Sequence, residues 1–385
     1  MLKSYFNLRK QQSILPDLPR HQFETIVRHH FGDRYVKRFS SWNQLTTLLY
    51  AQASGKESLR EIEHGLAVND QRLYHLGLPA IKRSTLADAN HFRSHHIYEK
   101  LFYRLLTRCQ DLTPKHKFRF KNPLYTLDAT IVDLCLSMFP WARFVKTKGA
   151  IKLHYEFNHS GNIPSFLVVT DAKRHETSVV KEHFTITPDS IYCFDRGYND
   201  FSFYRRITKN KAFFVTRAKD NLDYTVTGQH TETLKKGILS DESIRLVNKK
   251  YDKPLRLIRY YDNESGEVFV FITNNFVLAP HTITQIYKAR WQIEIFFKWI
   301  KQNLKIKTFL GTSRNAVLTQ IWVAMCYYLL LAYIKYQTKF KNSLFYLHRL
   351  IKETLLARLT FIDLLRSTPA KLNRVRNDEF QYVFF

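Results

Sequence analysis

The sequence predicts an α/β protein whose strand-rich middle lies between helical regions. Apolar residues recur with the helical period across residues 18–108, whereas residues 124–216 carry short apolar runs of strand length separated by turn residues. The helical period returns at residue 282 and continues towards the C-terminus. These three observations predict an all-α N-terminal domain at 1–115, an α/β domain at 116–338 and a C-terminal helical region at 339–385.

The charge balance indicates a polyanionic partner. The 385 residues include 60 Lys and Arg against 33 Asp and Glu, a formal net charge of +27 that exceeds what solubility requires. Nucleic acid is the leading candidate, because an aromatic content of 15% also provides faces on which bases can stack. An anionic membrane surface and a merely basic protein are the alternatives.

Cysteine spacing, the N-terminus and hydropathy all favour a cytoplasmic protein that does not contact a membrane. The four cysteines form no CxxC pair, which argues against a zinc ribbon or a disulfide framework. The first residues lack the apolar core of a signal peptide. The longest apolar run, 321–334, is shorter than the ~20 residues that a bilayer requires, so it predicts a buried core helix.

The predicted N-terminal domain fits either of two helical interpretations. Its helices are expected at residues 22–28, 42–52, 58–66 and 84–104, with Ser84 as the N-cap of the last one. Residues 58–63 and 82–90 fit a helix-turn-helix pair in which Lys82 and Arg83 would meet a DNA backbone. An ordinary helical bundle with a basic surface explains the same pattern, and both interpretations stay open.

The middle of the chain predicts a mixed sheet followed by a strand-rich insertion. Strands are expected at residues 124–134, 152–158, 165–170, 191–194 and 212–216, with a hairpin turn at Gly161-Asn162 and helical pattern around 178–183. The insertion, at about 219–280, carries further strands at residues 243–247, 255–260 and 268–273.

One acidic residue stands alone in the basic part that follows. Glu294 is the only Asp or Glu between Val268 and Lys352. On one helix turning ~100° per residue, it shares a narrow stripe with a phenol and three cations, namely Tyr287, Arg290, Lys298 and Lys301. A second, apolar stripe would anchor this helix in a core: Ile286, Ile293, Phe297, Ile300 and Leu304. A carboxylate placed among cations suits a metal ion held beside phosphates.

Two aspartates occupy strand positions of the kind at which ligands bind. Asp128 lies within the predicted strand 124–134, and Asp195 follows the strand 191–194 directly. Ligands bind at the carboxyl ends of strands in α/β folds, although a capping or turn role explains each aspartate taken alone. Together with Glu294 they offer oxygen ligands for two divalent metal ions, Mg²⁺ or Mn²⁺ rather than zinc, in a phosphoryl displacement.

These residues resemble the signature of a known family. The spacing Tyr287-x2-Arg290-x3-Glu294-x6-Lys301 matches the Y-R-E-K signature of a large group of bacterial insertion-sequence transposases, the IS-four type. Residues 126–130 resemble the strand of that group's first aspartate, and residues 194–198 resemble the strand of its second. Residues 84–90 are similar to an N-terminal domain often fused to this core.

The resemblance implies an RNase H-like catalytic core with a D-D-E metal triad. Asp128, Asp195 and Glu294 would then be catalytic and hold two metal ions, while Tyr287, Arg290 and Lys301 would bind DNA phosphates. Lys298, which shares their stripe, is a further candidate for DNA binding. Asp195 and Glu294 are 99 positions apart in this sequence (294 − 195), and the group carries a β insertion between its second Asp and its Glu. Relatives stack a flipped base on a Trp of this insertion; this insertion has no Trp, and the substitutes would be Tyr251, Tyr260, Tyr261, Phe269 or Phe271.

We therefore predict a DNA transposase that binds the inverted-repeat ends of its mobile element. It would cut those ends and join them to target DNA with Mg²⁺ or Mn²⁺, as a homodimer on double-stranded DNA, in the bacterial cytoplasm at the nucleoid. A stand-alone nuclease with the same core would cut without joining. A non-catalytic repressor would keep the basic surface and could lose the carboxylates, all three of which are present.

Overall fold

A computed structural model describes residues 20–70, 80–145, 148–230, 237–247, 251–304 and 309–355. The chain forms two compact units. The helical unit joins Met1–Thr113 to Trp299–Phe385, and the α/β unit is Pro114–Lys298. The domain boundaries predicted after residues 115 and 338 stay a prediction; the structure places the residues from Trp299 onwards in the helical unit.

The described residues contain helices and strands in the following order. The helices are α1 (Arg20–His29), α2 (Ser41–Ser54), α3 (Leu59–Val68), α4 (Arg83–Phe92), α5 (His96–Leu112), α6 (Glu176–His183), α7 (Phe201–Lys209), α8 (Pro280–Ala289), α9 (Trp291–Asn303), α10 (Arg314–Gln337) and α11 (Leu344–Thr354). The strands are β1 (Leu124–Leu134), β2 (Arg143–Val145), β3 (Lys148–Asn158), β4 (Ile163–Asp171), β5 (Ile191–Phe194), β6 (Phe213–Arg217), β7 (Tyr224–Gln229), β8 (Ile238–Leu246), β9 (Leu255–Asp262) and β10 (Glu267–Thr273).

The helical unit is built around α10. This helix is long and apolar enough to cross a membrane by length and composition, but 94% of its most apolar stretch is buried. It packs against α5, where the rings of Phe102 and Trp322 lie 5.4 Å apart and the Cys109 thiol donates to the Leu329 carbonyl at 3.2 Å. The prediction of a buried core helix at 321–334 is therefore confirmed.

The helix predicted at 84–104 is wrong as a single helix, because α4 ends at Phe92 and α5 begins at His96. Arg93 between them is extended (ψ 130°), and its guanidinium donates to Gln44 Oε1 at 3.2 Å and to the Phe39 carbonyl. The predicted cap is also wrong: α4 starts after Lys82, and Ser84 lies in its first turn.

The structure leaves both interpretations of the N-terminal helices open. Residues 69–82 separate α3 from α4, and 71–79 of these lie outside the described residues. This linker is longer than the ~3–4 residues of a simple helix-turn-helix turn, and the helix-turn-helix and the helical bundle both stay predictions. Within the predicted C-terminal helical region 339–385, α11 (Leu344–Thr354) is present, and residues 356–385 lie outside the described part.

The α/β unit contains a mixed sheet of ten strands. Its order is β2-β3-β1-β5-β6-β10-β9-β8-β7, with β4 paired to β3. β1 is antiparallel to β3 and parallel to β5, and β5 is parallel to β6. The bounds predicted for β1 and β5 are confirmed. The β insertion is confirmed as strands, and it continues the same sheet because β10 pairs antiparallel with β6.

Helices cover both faces of this sheet. On one face, α6 and α7 pack against a cluster that includes Leu127, Tyr192, Phe194 and Phe214. On the other face, Ile283 and Ile286 of α8 pack against a cluster that includes Leu124, Cys193 and Phe271. Side chains of a strand alternate between faces, so Asp128 points away from Leu127 and towards the α8 side.

The predicted helix 287–301 is wrong as one continuous helix. Tyr287 belongs to α8, Arg290 lies between the two helices, and Glu294 belongs to α9. Arg290 keeps right-handed helical angles (φ −49°, ψ −34°), but its amide bonds to the Tyr287 carbonyl three residues back. The predicted apolar stripe is confirmed, since all of its members are buried: Ile286, Ile293, Phe297, Ile300 and Leu304.

Candidate active site

The two aspartates lie on neighbouring parallel strands. Leu127 of β1 is in register with Phe194 of β5, so Asp128 and Asp195 are the next residues along the two strands. Adjacent strands are spaced by about 4.8 Å, which brings the two aspartates to the same level of the sheet. The proximity of Asp128 and Asp195 follows from the strand register, and the local sequence around either aspartate does not indicate it.

Asp195 is held in place by the turn that follows β5. Its side chain caps the short 3₁₀-helix Arg196–Tyr198, and Oδ1 accepts a hydrogen bond from the Gly197 amide at 2.8 Å. A Cβ atom at Gly197 would lie 3.0 Å from Asp195 Oδ1 and 3.4 Å from Glu176 Oε2. Glycine at this position therefore leaves room for two carboxylates to approach the same turn.

Arg290 joins the aspartate of β1 to the glutamate of α9. One terminal nitrogen donates to Asp128 Oδ2 at 2.9 Å, and the other donates to Glu294 Oε1 at 3.1 Å. The side chains of Arg290 and Asp128 are 14% and 17% exposed, so solvent screens this pair only weakly. Asp128 and Glu294, 166 residues apart in the chain (294 − 128), thus share one guanidinium.

The carboxylates form a site that favours a cation. Burial raises the pKa of Asp128 to about 7, and the charges of Asp195 and Glu294 act in the same direction. The Arg290 guanidinium and the Ala129 amide oppose this rise in pKa. Three acidic groups with one balancing cation leave an excess of negative charge, which a divalent metal ion would neutralise.

The other residues of the predicted signature differ in their surroundings. Tyr287 is half-buried against Phe271, with ring centroids 5.0 Å apart, and the guanidinium carbon of Arg290 lies 5.5 Å from its ring centroid. Burial raises the pKa of the Tyr287 hydroxyl to about 12. Lys298 is exposed and Lys301 partly exposed, four and seven residues after Glu294 on α9. A helix presents those positions on the face of Glu294.

Comparisons with known proteins assign this arrangement to a family. A model described as "Transposase DDE domain" matches residues 119–330, which is more than half of the chain and includes all three carboxylates. The chain belongs to the DDE transposase family. A second model, "Domain of unknown function (DUF4372)", matches residues 12–79 in the N-terminal part of the transposase.

Individual relatives of the transposase agree with this assignment. A Sinorhizobium fredii protein named as transposase y4zB is 32% identical over 253 residues, covering 64% of this chain and 69% of its own. A Geobacillus stearothermophilus protein named as a transposase of the insertion sequence element IS5377 is 28% identical over 284 residues, covering 73% of each chain. The chain is thus an insertion-sequence DDE transposase, an enzyme that acts on DNA.

Among solved structures, the transposase is similar to the piggyBac transposase in its synaptic complex with hairpin DNA. The likeness covers 98% of this chain and 83% of that chain at 9% identity, with a TM-score of 0.49.

One further carboxylate, that of Glu176, lies near Asp195; from the sequence it is a possible extra metal ligand, with a solvated loop charge as the simpler interpretation. Glu176 is the first residue of α6, pairs with Lys152 at 3.5 Å and lies beside Gly197. The available signal was its position just before a predicted helix, since acidic residues favour the first turn.

The two histidines near the first aspartate strand do not join the carboxylates. His154 is fully buried on β3, where Nε2 contacts the Thr170 hydroxyl at 2.9 Å and burial lowers its pKa to about 3. His175 is exposed ahead of α6. Among the insertion aromatics, Tyr251 and Phe271 are buried core residues, whereas Tyr261 is 40% exposed.

Proposed function

We propose that Asp128, Asp195 and Glu294 form the catalytic triad with which this transposase cuts and joins DNA. The observation that carries the proposal is Arg290, whose two nitrogens contact Asp128 and Glu294 while Asp195 lies level with Asp128 on the next strand. Two carboxylates from distant parts of the chain therefore share one guanidinium, and the third lies beside the first at the level where β1 and β5 pair. Charges of one sign gather in this way at sites for phosphoryl transfer.

The triad fits hard divalent cations by its chemistry. Its donors are carboxylate oxygens, which Mg²⁺ and Mn²⁺ prefer, and the partly buried Arg290 already supplies one positive charge there. Two ions bound by the triad would activate the attacking oxygen and stabilise the leaving oxygen of an in-line displacement. The family implies a divalent metal; the choice of two ions and the ligand set are part of the proposal.

The proposed reaction has two steps at phosphorus. In the first step, a water oxygen bonds to a phosphorus at the element end, and the bond to the 3′-oxygen breaks to release a 3′-hydroxyl. In the second step, that hydroxyl loses its proton and attacks a target phosphodiester, and one target 3′-oxygen leaves as a hydroxyl. Neither step needs a covalent bond to the protein, and Tyr287, half-buried against Phe271, binds phosphate or packs rather than acting as nucleophile.

The strand order supports an RNase H-like core for this chemistry. The strands β4-β3-β1-β5-β6 combine an antiparallel half with a parallel half, and the two aspartates lie where the halves meet at β1 and β5. We further propose membership of the IS-four group, on the Tyr287, Arg290, Glu294 and Lys301 spacing. The layout of an all-α N-terminal domain, this core with its insertion at about 219–280, and a C-terminal helical region belongs to the same proposal.

DNA binding is proposed to use the cations that surround Glu294. Arg290, Lys298 and Lys301 would bind phosphates of the element end with Tyr287 beside them, and the net charge of +27 supports a polyanion over the whole surface. The helical N-terminal domain would read the inverted repeats. Because two ends must be processed together, we propose a homodimer on DNA, working at the bacterial nucleoid.

A strand-joining assay tests the proposed function. Purified protein, Mg²⁺, labelled DNA carrying the element ends and a target plasmid should yield cut ends and joined products. Both products should disappear when EDTA is added, and when Asp128→Asn or Glu294→Gln replaces the natural residue. Joining of element ends to the target plasmid by either variant would overturn the proposed catalytic triad.

The same assay distinguishes the alternatives. Cutting without joining would identify a stand-alone nuclease with this core. Binding of the ends with neither cutting nor joining, at every divalent metal tried, would identify a repressor. The DNA flanking the gene supplies the substrate, because inverted repeats there define the ends.

A further inference from the structure

A second group of possible metal ligands lies in the helical unit, away from any residue of the proposed triad in the sequence. His95, His96 and Glu99 gather at the start of α5, where His95 is the N-cap residue and Glu99 lies in the first turn. Each offers one ligand atom, and these three atoms all lie within 4.8 Å of one another. His96 Nδ1 is 2.5 Å from Glu99 Oε2.

The orientation of the His95 ring is fixed by an asparagine from α10. Asn315 Nδ2 donates to the carbonyls of Asn90 and Arg93 at 2.9 and 2.6 Å, so its Oδ1 must face His95. That oxygen accepts from the His95 backbone amide at 3.1 Å and contacts His95 Nδ1 at 3.0 Å. Because an amide oxygen can only accept, Nδ1 carries the proton and Nε2 keeps a free lone pair.

This arrangement is typical of metal-binding histidines, which donate one ring N–H to a carbonyl or carboxylate and bind the metal with the other nitrogen. The His96 ring has a neighbour as well. The His30 ring, from the segment after α1, stacks on it with centroids 6.2 Å apart and planes at 21°. Three imidazoles and a carboxylate are therefore close together at one corner of the helical unit.

We propose that His95, His96 and Glu99 bind a divalent transition metal, with Zn²⁺ as the representative ion. Two imidazoles and one carboxylate suit zinc, cobalt or nickel, whereas the oxygen-only triad suits magnesium or manganese. The two sites thus differ in the class of metal they select. The bound ion would fix the break between α4 and α5 relative to the first turn of α5, and so brace the helical unit.

Isothermal titration of the untagged full-length protein with Zn²⁺ tests the site, with Mg²⁺ in excess throughout to occupy the oxygen ligands. We expect one Zn²⁺ per chain and at least about tenfold weaker binding in His96→Ala and Glu99→Ala. In thermal melts, a hundredfold excess of Zn²⁺ over the dissociation constant should raise the Tm of the natural protein by about 5 °C. Replacing Zn²⁺ by Co²⁺ should give visible absorption bands that the two variants lack.

A histidine elsewhere in the same unit provides the matched control. His64 is exposed on α3, so His64→Ala should bind Zn²⁺ like the natural protein. His96 is exposed as well, so His96→Ala should keep the metal-free Tm and stay folded. No Zn²⁺ binding by the natural protein, or unchanged affinity in both His96→Ala and Glu99→Ala, would overturn the proposal and leave His96–Glu99 as an ordinary surface pair.

Discussion

The two clusters that could bind metal ions are assembled in opposite ways. Asp128 lies on β1, Asp195 directly follows β5 and Glu294 lies on α9. The register of two parallel strands places the aspartates side by side, and one arginine links Asp128 to Glu294. His95, His96 and Glu99 are neighbours in the sequence, and one asparagine from far along the chain orients the first of them.

The difference teaches what each cluster depends on. The carboxylate cluster requires the whole α/β unit to fold before its residues meet, so its geometry is as precise as the sheet that supports it. The histidine cluster is formed mostly by one turn of helix, and its two imidazoles and one carboxylate determine which metal ion it would select. The activity expected of the carboxylate cluster is therefore sensitive to small displacements of its side chains. Metal binding proposed for the histidine cluster is sensitive mainly to the loss of one of its ligands.

The largest expected effect is the loss of DNA cleavage on removing a carboxylate of the proposed triad. Asp128→Asn should lower the rate of end cleavage on the order of 1000-fold, since a metal ligand contributes several kcal/mol to transition-state stabilisation. The measurement is single-turnover cleavage of labelled ends. Asp133 is exposed on the same strand, so the Asp133→Asn variant should cleave DNA at the natural rate. An equal loss of cleavage in this variant would show that substitutions on β1 act by disturbing the strand.

A smaller effect is expected from crowding Asp195. Gly197→Ala places a Cβ atom 3.0 Å from Asp195 Oδ1, so the carboxylate must shift by some tenths of an ångström. We expect cleavage to slow by about tenfold, because catalysis falls steeply with misplacement. Gly228→Ala on β7 is the control, since its nearest neighbour would be Ser243 Cβ at an ordinary 3.7 Å. Equal cleavage rates for the Gly197→Ala and Gly228→Ala variants would contradict the close packing of Gly197 against the Asp195 carboxylate.

The lysines of α9 should change the salt dependence of DNA binding. Lys298→Ala and Lys301→Ala should each reduce the slope of log K against log salt by about 1, with weaker binding to every DNA sequence alike. Fluorescence anisotropy at several salt concentrations measures this slope. Lys209→Ala, exposed on α7 against the opposite face of the sheet, should leave the slope unchanged. An unchanged slope in both α9 variants would remove them from the DNA contact.

The smallest effect concerns the stability of the metal-free protein. Arg290→Ala leaves Asp128 and Glu294 without their shared guanidinium, so we expect the free energy of unfolding to fall by about 1–2 kcal/mol, allowing for the partial exposure of Glu294. Mg²⁺ should restore part of this loss, so the Tm shift on adding Mg²⁺ should exceed that of the natural protein. Arg205→Ala removes a surface ion pair with Asp252, and it should show the same Tm shift on adding Mg²⁺ as the natural protein.

Sequence patterns predicted the elements that carry the triad, because apolar runs and turn residues are local signals. β1, β5 and the buried stripe of Ile293 and Ile300 all follow from them. The break at Arg290 was missed, because its residues keep helical propensity and only tertiary contacts to Asp128 distinguish it. The bond between His95 and Asn315 was equally invisible, since the partners are 220 residues apart (315 − 95).

The pairing of β10 with β6 has a consequence for how this protein can diversify. β10 leads directly to α8 and is hydrogen-bonded to β6, next to the strand that carries Asp195, whereas β8 and β7 lie at the outer end of the sheet. Strands added at that outer edge would leave the path from β10 to Glu294 intact. New segments for recognition can thus be added at the sheet edge formed by β7 without moving Asp195 or Glu294.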